Sequence, residues 1–386
     1  MIDKHIKKND SRNFRLKKII LKYFVSSFLF ISLIIIVWFL FALPRIKEKL
    51  NYYPIVQQMK YQSLISIPDT IPKIKTMPNF DQIDWKKLSP GLDSDGVKLT
   101  DYDKEGIRGV SGLQKYPYTI AGFAEYQISE YLKTGNKTNL LLSLRQLDYL
   151  AKEFHVKKIN GEEIGLWYVN FDLGYQYNVK APWRSAFNQA SCLEAMVYAY
   201  QITGDSQYLN MFEKGINALR YSTEEGGLSY KTRNGGLFFQ EVVTPYPLHH
   251  ILNGKMDVLI KVYRCAEVTK STNAKEVFNL GIVGLKDMLP NFDRYGYSLY
   301  SLSPNPSFVN HFNIASPSYH STHIGQLRVL GKISGEKMFL EYADKWQSET
   351  GGIKEFLWIT IYVMFKDFMK TIKSVESNLG INITGN

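Results

Sequence analysis

Cysteine is scarce in this chain, with only Cys192 and Cys265 among 386 residues. Both lie in apolar stretches of helical spacing, so they read as buried free thiols, and a disulfide framework is excluded. Phosphate-cradling motifs are also missing. There is no phosphate loop, no glycine-rich dinucleotide fingerprint and no Ser-His-Asp signature, which removes nucleotide-dependent enzymes and the common serine hydrolases. Histidine is sparse, at seven. His249-His250 and His320-x-x-His323 hold four of the seven, but no nearby carboxylate or thiolate completes a ligand set. No metal and no organic cofactor is expected.

Long apolar runs are confined to one place. Tyr23 to Leu43 is hydrophobic almost throughout, and at about 1.5 Å per residue it spans the roughly 30 Å hydrocarbon layer of a bilayer. Eight Lys and Arg precede it, against Arg45, Lys47 and Lys49 close behind. The positive-inside rule then leaves the N-terminus in the cytoplasm and the main domain outside, in a bacterial envelope or, in a eukaryote, the Golgi lumen. No small-residue cleavage site follows, so an uncleaved single-pass anchor is expected. The net charge of +11 is mostly this topology signal, because residues 1–50 carry +8 of it. An almost balanced outer domain gives no reason to expect a nucleic-acid partner.

What the chain has in excess is tyrosine, with 26 residues. Phenol rings stack on the apolar faces of sugars while their hydroxyls meet the polar rim. Residues 44–104 read as a stalk and lead-in, broken by Pro54, Pro68, Pro72, Pro78 and Pro90. From there to residue 350 the pattern is helical hairpins. Thr119–Lys133 returns as Leu140–Phe154, Ser191–Ile202 as Tyr208–Leu219, Met256–Val268 as Val277–Met288, and Thr322–Leu330 as Phe339–Trp346. Their hinges are Thr134-Gly-Asn136, Thr203-Gly-Asp205, Thr269–Asn273 and Ser334-Gly-Glu336. Such hairpins suit a mainly α fold, an (α/α) toroid, with β-hairpin insertions at 161–183 and 226–250. The apolar piece Phe356–Phe365, in a C-terminal extension 351–386, is too short to cross a bilayer and reads as a packing or interfacial helix.

Chemistry concentrates in Pro317–Leu327, where Tyr319, His320, His323 and Gln326 open a helix. On a 3.6-residue repeat Tyr319, His323 and Gln326 share one face, while Leu327 and Leu330 turn to the core. The stripe reads either as a cleft wall or as a capping cluster.

Five segments together resemble the C-terminal domain of the D-glucuronyl C5-epimerase family over roughly residues 105–347. They are Tyr116-Pro-Tyr-Thr-Ile-Ala121; Ala181-Pro-Trp-Arg-Ser-Ala-Phe-Asn-Gln189 with Tyr200-Gln-Ile-Thr-Gly-Asp205; Ile251-Leu-Asn-Gly254; Met288-Leu-Pro290 through Ser298-Leu-Tyr300; and Tyr319 through Leu327. The resemblance implies a toroid and an enzyme that inverts C5 of uronic acid in heparan-type polysaccharides. Tyr300 and Tyr319 fall on two acid/base tyrosines and Asn253 on a substrate-contacting Asn. Tyr116 and Gln189 fall at matching positions near the cleft. Trp183, Glu241, Tyr246, His320 and His323 join the expected substrate contacts, and Arg108, Arg184 or Arg233 would supply a cation for the uronate carboxylate. The pattern departs at three places. The family's third Tyr falls at Val242 or Val243, its Arg at Ser303 and its Asp at Ser318.

The expected partners are an anionic uronic-acid polysaccharide and, through residues 23–43, the lipid bilayer; a homodimer is left open. Two other readings stand beside the epimerase. One is a catalytically impaired glycan-binding or polysaccharide-assembly protein on the same toroid. The other is a polysaccharide lyase or hydrolase, for which Glu241 and Asp172 are the one carboxylate pair to nominate.

Overall fold

A computed structural model describes residues 71–350, apart from 72, 75–76, 82, 106–109, 175–176, 246–247, 295, 303–312 and 349, together with Trp38, Phe356 and Thr360. The expected membrane segment 23–43, the Phe356–Phe365 piece as a unit, Arg108, Tyr246 and Ser303 lie outside the described residues. Among the described residues no helix is long and apolar enough to cross a membrane.

The described chain is mainly helical. Two single-turn helices, α1 (Trp85–Leu88) and α2 (Tyr102–Glu105), precede four hairpins. These are α3 (Pro117–Thr134) with α4 (Lys137–Lys152), α5 (Ala186–Thr203) with α6 (Ser206–Arg220), α7 (Leu252–Thr269) with α8 (Thr272–Met288), and α9 (Pro317–Ser334) with α10 (Lys337–Ser348). All four match the hairpins expected from sequence. The expected first helices begin too late, because Pro117, Ala186, Leu252 and Pro317 already turn helical; proline at N1 is fixed near helical φ and gives up an N–H that has no partner there.

The hinges are built by one recurring device. Thr134, Thr203, Thr269 and Ser334 each donate their hydroxyl to the carbonyl four residues back, at 2.6–2.7 Å. Each hydroxyl oxygen then accepts the N–H two residues on, at 3.1–3.3 Å. The intervening residue is left-handed: Gly135, Gly204 and Gly335 at φ 70°, 71° and 75°, and Lys270 at 57°. Asn136, Asp205 and Ser271 then cap the returning helices through side-chain oxygens that accept N–H groups of the first turn.

The first helices pack side by side in chain order: α3 against α5, α5 against α7, and α7 against α9. α5 has neighbours on every side and buries fourteen of its eighteen residues, whereas the outer α6 buries six of fifteen. Ile120, Leu147, Met196, Phe212, Leu259 and Leu327 are fully enclosed in the common core. Both cysteines are buried free thiols, as expected.

The long connections carry short antiparallel pairs. These are β1 (Thr100–Asp101) with β2 (Leu113–Gln114), β3 (His155–Ile159) with β4 (Glu162–Leu166), β5 (Ser229–Lys231) with β6 (Leu237–Phe239), and β7 (Asp293–Arg294) with β8 (Tyr297–Ser298). The first insertion begins earlier than expected, at His155, and continues past β4 through bridges Val169–Trp183 and Leu173–Val179.

Candidate active site

The starts of the first helices are gathered by two connections. The backbone of 240–243 is tied to the start of α5, with Ala186 N–H donating to Gln240 O (2.8 Å) and Val243 N–H to Arg184 O (3.0 Å). The 297–302 segment lies between the starts of α7 and α9: Leu252 N–H donates to Tyr300 O (3.0 Å), Tyr300 N–H to Asn313 O (2.6 Å) and Ala315 N–H to Ser298 O (3.0 Å). Residues distant in sequence meet there.

Tyr300 and Tyr319 are in contact, with ring centroids 4.7 Å apart and planes tilted by 59°. Tyr300 is half-buried, while Tyr319, in the first turn of α9, is 41% exposed. The Tyr300 hydroxyl is hydrogen-bonded to Tyr177, and burial, the nearby Glu241 and the two neighbouring phenols hold its pKa well above the usual value. Tyr300 is therefore a neutral phenol that carries its proton. Tyr177 in turn sets its ring edge-on to His249, with centroids 5.0 Å apart.

Glu241 reaches the same space. Burial, reinforced by the charge of Asp257, pushes its carboxyl up to about 8. Its Oε2 has no hydrogen-bond partner among the described residues and lies over Gly254, where an added Cβ would collide with it. Glycine is therefore required at 254. Tyr116 stands at the N-cap of α3, its phenol raised well above the usual range by burial and then by Tyr102 and Glu241. Asn253 lies in the first turn of α7, with its Oδ1 buried and without a hydrogen bond among the described residues. Gln326 holds the Asn253 carbonyl through Nε2 at 3.0 Å. α7 starts without a side-chain cap, and its first amide N–H, that of Leu252, is taken by the Tyr300 carbonyl.

Several expected substrate contacts prove to be framework. Gln189 is fully buried: Nε2 donates to the carbonyls of Gly165 (2.8 Å) and Gly215 (3.0 Å), and Oε1 accepts from Trp167 N–H. Trp183 is buried with its indole N–H on Phe171 O, a core anchor where a sugar platform was expected. Arg184 is occupied by the carbonyls of Gly227 (2.6 Å) and Thr223 (3.3 Å), so its fork is committed to a loop and not to a ligand. Arg233 is exposed at the β5–β6 turn.

His320 and His323 are both fully buried. Ser298 Oγ lies 2.8 Å from Nδ1 of each, and His320 Nε2 approaches Trp346 O at 3.3 Å. Burial lowers His320 to about 3 and holds His323 well below the usual imidazole range, so both are neutral. They pin the strand that carries Tyr300 onto α9 and α10. The shared face expected for Tyr319, His323 and Gln326 is therefore divided, with Tyr319 outward and the other two in the core. Of the departures, Val242 and Val243 are buried apolar side chains. Asp172 is exposed and bonded to Lys180 and the Ala181 N–H, so it forms no pair with Glu241.

Sequence reasoning passed over Tyr177, Tyr118, Asp257 and Lys261. Tyr177 lies in a loop with no motif. Asp257, Lys261 and Arg264 do leave a signal: a charged i, i+4, i+7 stripe on the otherwise apolar helix α7.

Residues 160–348 match the family model described as D-glucuronyl C5-epimerase C-terminus. The chain is 29% identical over 226 residues to the uncharacterized protein MJ1128 of Methanocaldococcus jannaschii, covering 57% of this chain and 68% of that protein. It is 24% identical over 213 residues to the D-glucuronyl C5-epimerase of Caenorhabditis elegans, covering 51% of this chain but only 34% of the nematode enzyme. Through residues 160–348, the chain is similar to the C-terminal domain of the D-glucuronyl C5-epimerase family.

Proposed function

We propose that this protein is a membrane-anchored, outward-facing uronate C5-epimerase that acts on an anionic polysaccharide, with its helical hairpins arranged as a toroid. The meeting of Tyr300 with Tyr319 carries this reading. Tyr319, exposed at the first turn of α9, gives its phenolic proton to solvent and, as the phenolate, takes the proton from C5. The C5–H bond breaks, its electron pair spreads into the uronate carboxylate, and a Tyr319 O–H bond forms. Tyr300, neutral and hydrogen-bonded to Tyr177, then gives its proton to the opposite face of C5. The protonated Glu241 beside it is a proton store from which Tyr300 is reset. Positioned acids and bases of this kind contribute roughly 10²–10⁴-fold each. Asn253, in the first turn of α7 at the positive end of the helix dipole, meets the carboxylate in place of an arginine.

As they stand, the two rings touch and leave no room for a pyranose between them. The reading therefore requires Tyr319 to swing outward as substrate enters, a rotamer change open to an exposed side chain on a fast timescale. That contact and the buried Val242 and Val243 favour a second reading, a glycan-binding protein without turnover. Incubation of the full chain with glucuronate polymers in D₂O decides between them. Deuterium at uronate C5 supports the epimerase, whereas binding without exchange supports the second reading.

A further inference from the structure

Further along the first helices, beyond the tyrosines, lies a cavity of about 190 Å³ between α3, α5 and α7. A cavity of roughly 150 Å³ accommodates a benzene-sized ring, so this one has room for a substituted six-membered ring. Its wall is mixed, with charged groups clustered on one part of it. Lys261 Nζ lies 2.8 Å from both Asp257 Oδ2 and Ser191 Oγ. Arg264, 4% exposed, pairs with Glu194 at 3.1 Å and Glu125 at 3.6 Å.

Two observations mark the space as a site rather than a packing remnant. The Arg264 Nε–H is buried and makes no hydrogen bond among the described residues, and an unmet donor on a buried cation is costly unless something else fills the position. Gly122, in the second turn of α3, lines the same cavity at its exposed rim, and a Cβ there would meet nothing within 4 Å. Glycine inside a helix is less favourable than alanine. No steric conflict explains it, and the missing side chain leaves the mouth of the cavity clear.

The ligand's chemistry follows from the wall. Two cations face three carboxylates, and burial raises the Glu194 carboxyl toward neutrality, so an ion of either sign finds no spare counter-charge. Hydroxyl groups both donate and accept, which matches guanidinium and carboxylate side by side. Tyr118, stacked on Phe187 at 4.4 Å, adds an aromatic wall. We propose that this cavity binds one neutral pyranose unit, with its ring against Tyr118 and its hydroxyls shared among Arg264, Glu194 and Asp257. The inference goes beyond the epimerase reading and does not depend on it.

The test uses the full chain and three probes, methyl glucopyranoside, methyl glucuronopyranoside and cyclohexanol, followed by saturation-transfer NMR and calorimetry. The neutral glycoside is expected to bind best. Gly122→Leu, which covers the mouth of the cavity without touching an ion pair, is expected to weaken it at least tenfold while the melting temperature holds or rises. Arg264→Met is expected to weaken it as well; should that variant not fold, Gly122→Leu decides alone. Tyr319→Phe is expected to leave this binding unchanged, which separates the cavity from the tyrosine pair. Absence of glycoside binding to the wild type, binding within twofold in Gly122→Leu, or equal affinity for the uronide through the same cavity would each overturn the proposal. Failure of isotope exchange in the wild type would leave it intact.

Discussion

At one end of the four hairpins the chain solves the same problem four times in the same way; at the other, the helix starts are built in two ways and carry different side chains. Each hinge has a hydroxyl bonded back to the carbonyl four residues earlier, and each passes through a left-handed residue. The starts share no single device. α5 and α9 are capped by Ser185 and Ser316, while α3 and α7 begin at Tyr116 and Ile251 with no side-chain cap. The difference separates two demands on the chain. Reversal needs only a local pattern, so it can repeat, whereas a reaction centre needs different groups at each position.

Substitutions at the two ends should therefore fail in different ways. The largest effect is expected at the starts. Tyr319→Phe should lower deuterium incorporation at uronate C5 by roughly 10²–10⁴-fold with little change in melting temperature, because the ring contact survives and only a hydroxyl is lost. Next comes Glu241. Its folded pKa of about 8 lies above the ordinary 4.5, so the native state holds a proton that the unfolded state releases. Its contribution is fully present below about pH 4.5 and is lost as pH rises to about 8. Glu241→Gln should flatten part of that decline, read from denaturant midpoints at pH 5 and pH 9.

The hinges should show smaller effects, confined to stability. Thr203→Val keeps the shape but removes the bond to the Ala199 carbonyl, and should cost about 1 kcal/mol in chemical denaturation without changing isotope exchange. Lys270→Gly should be smallest and opposite in sign. Lys270 occupies the left-handed position where the other hinges have glycine, and relieving it should gain about 0.5 kcal/mol or slightly more in the same assay. A hinge variant that abolished exchange while remaining folded would break the comparison.

The hinge end was legible in the sequence because its causes are local. Thr134-Gly-Asn136, Thr203-Gly-Asp205 and Ser334-Gly-Glu336 announce themselves, and the apolar periodicity on either side supplies the helices. The starts were legible only in part. Tyr300, Tyr319, Asn253, Glu241 and Tyr116 are brought to one region. Gln189, Trp183, Arg184, His320 and His323 are polar or aromatic residues near those same starts, yet each is occupied internally. A satisfied buried side chain has the same letter in the sequence as one that meets a ligand, and only the partner separates them. Tyr177 shows the reverse: an ordinary loop residue becomes part of the site because a tertiary contact brings it to Tyr300.

The most direct measurement is C5 exchange by Tyr300→Phe in D₂O, with the stereochemistry of the labelled uronate determined by NMR. If Tyr319 removes the proton and Tyr300 supplies the other face, the wild type incorporates deuterium with inversion, while Tyr300→Phe still incorporates it but retains configuration. Inversion at the wild-type rate in Tyr300→Phe, or incorporation by neither chain, would contradict the two-tyrosine account.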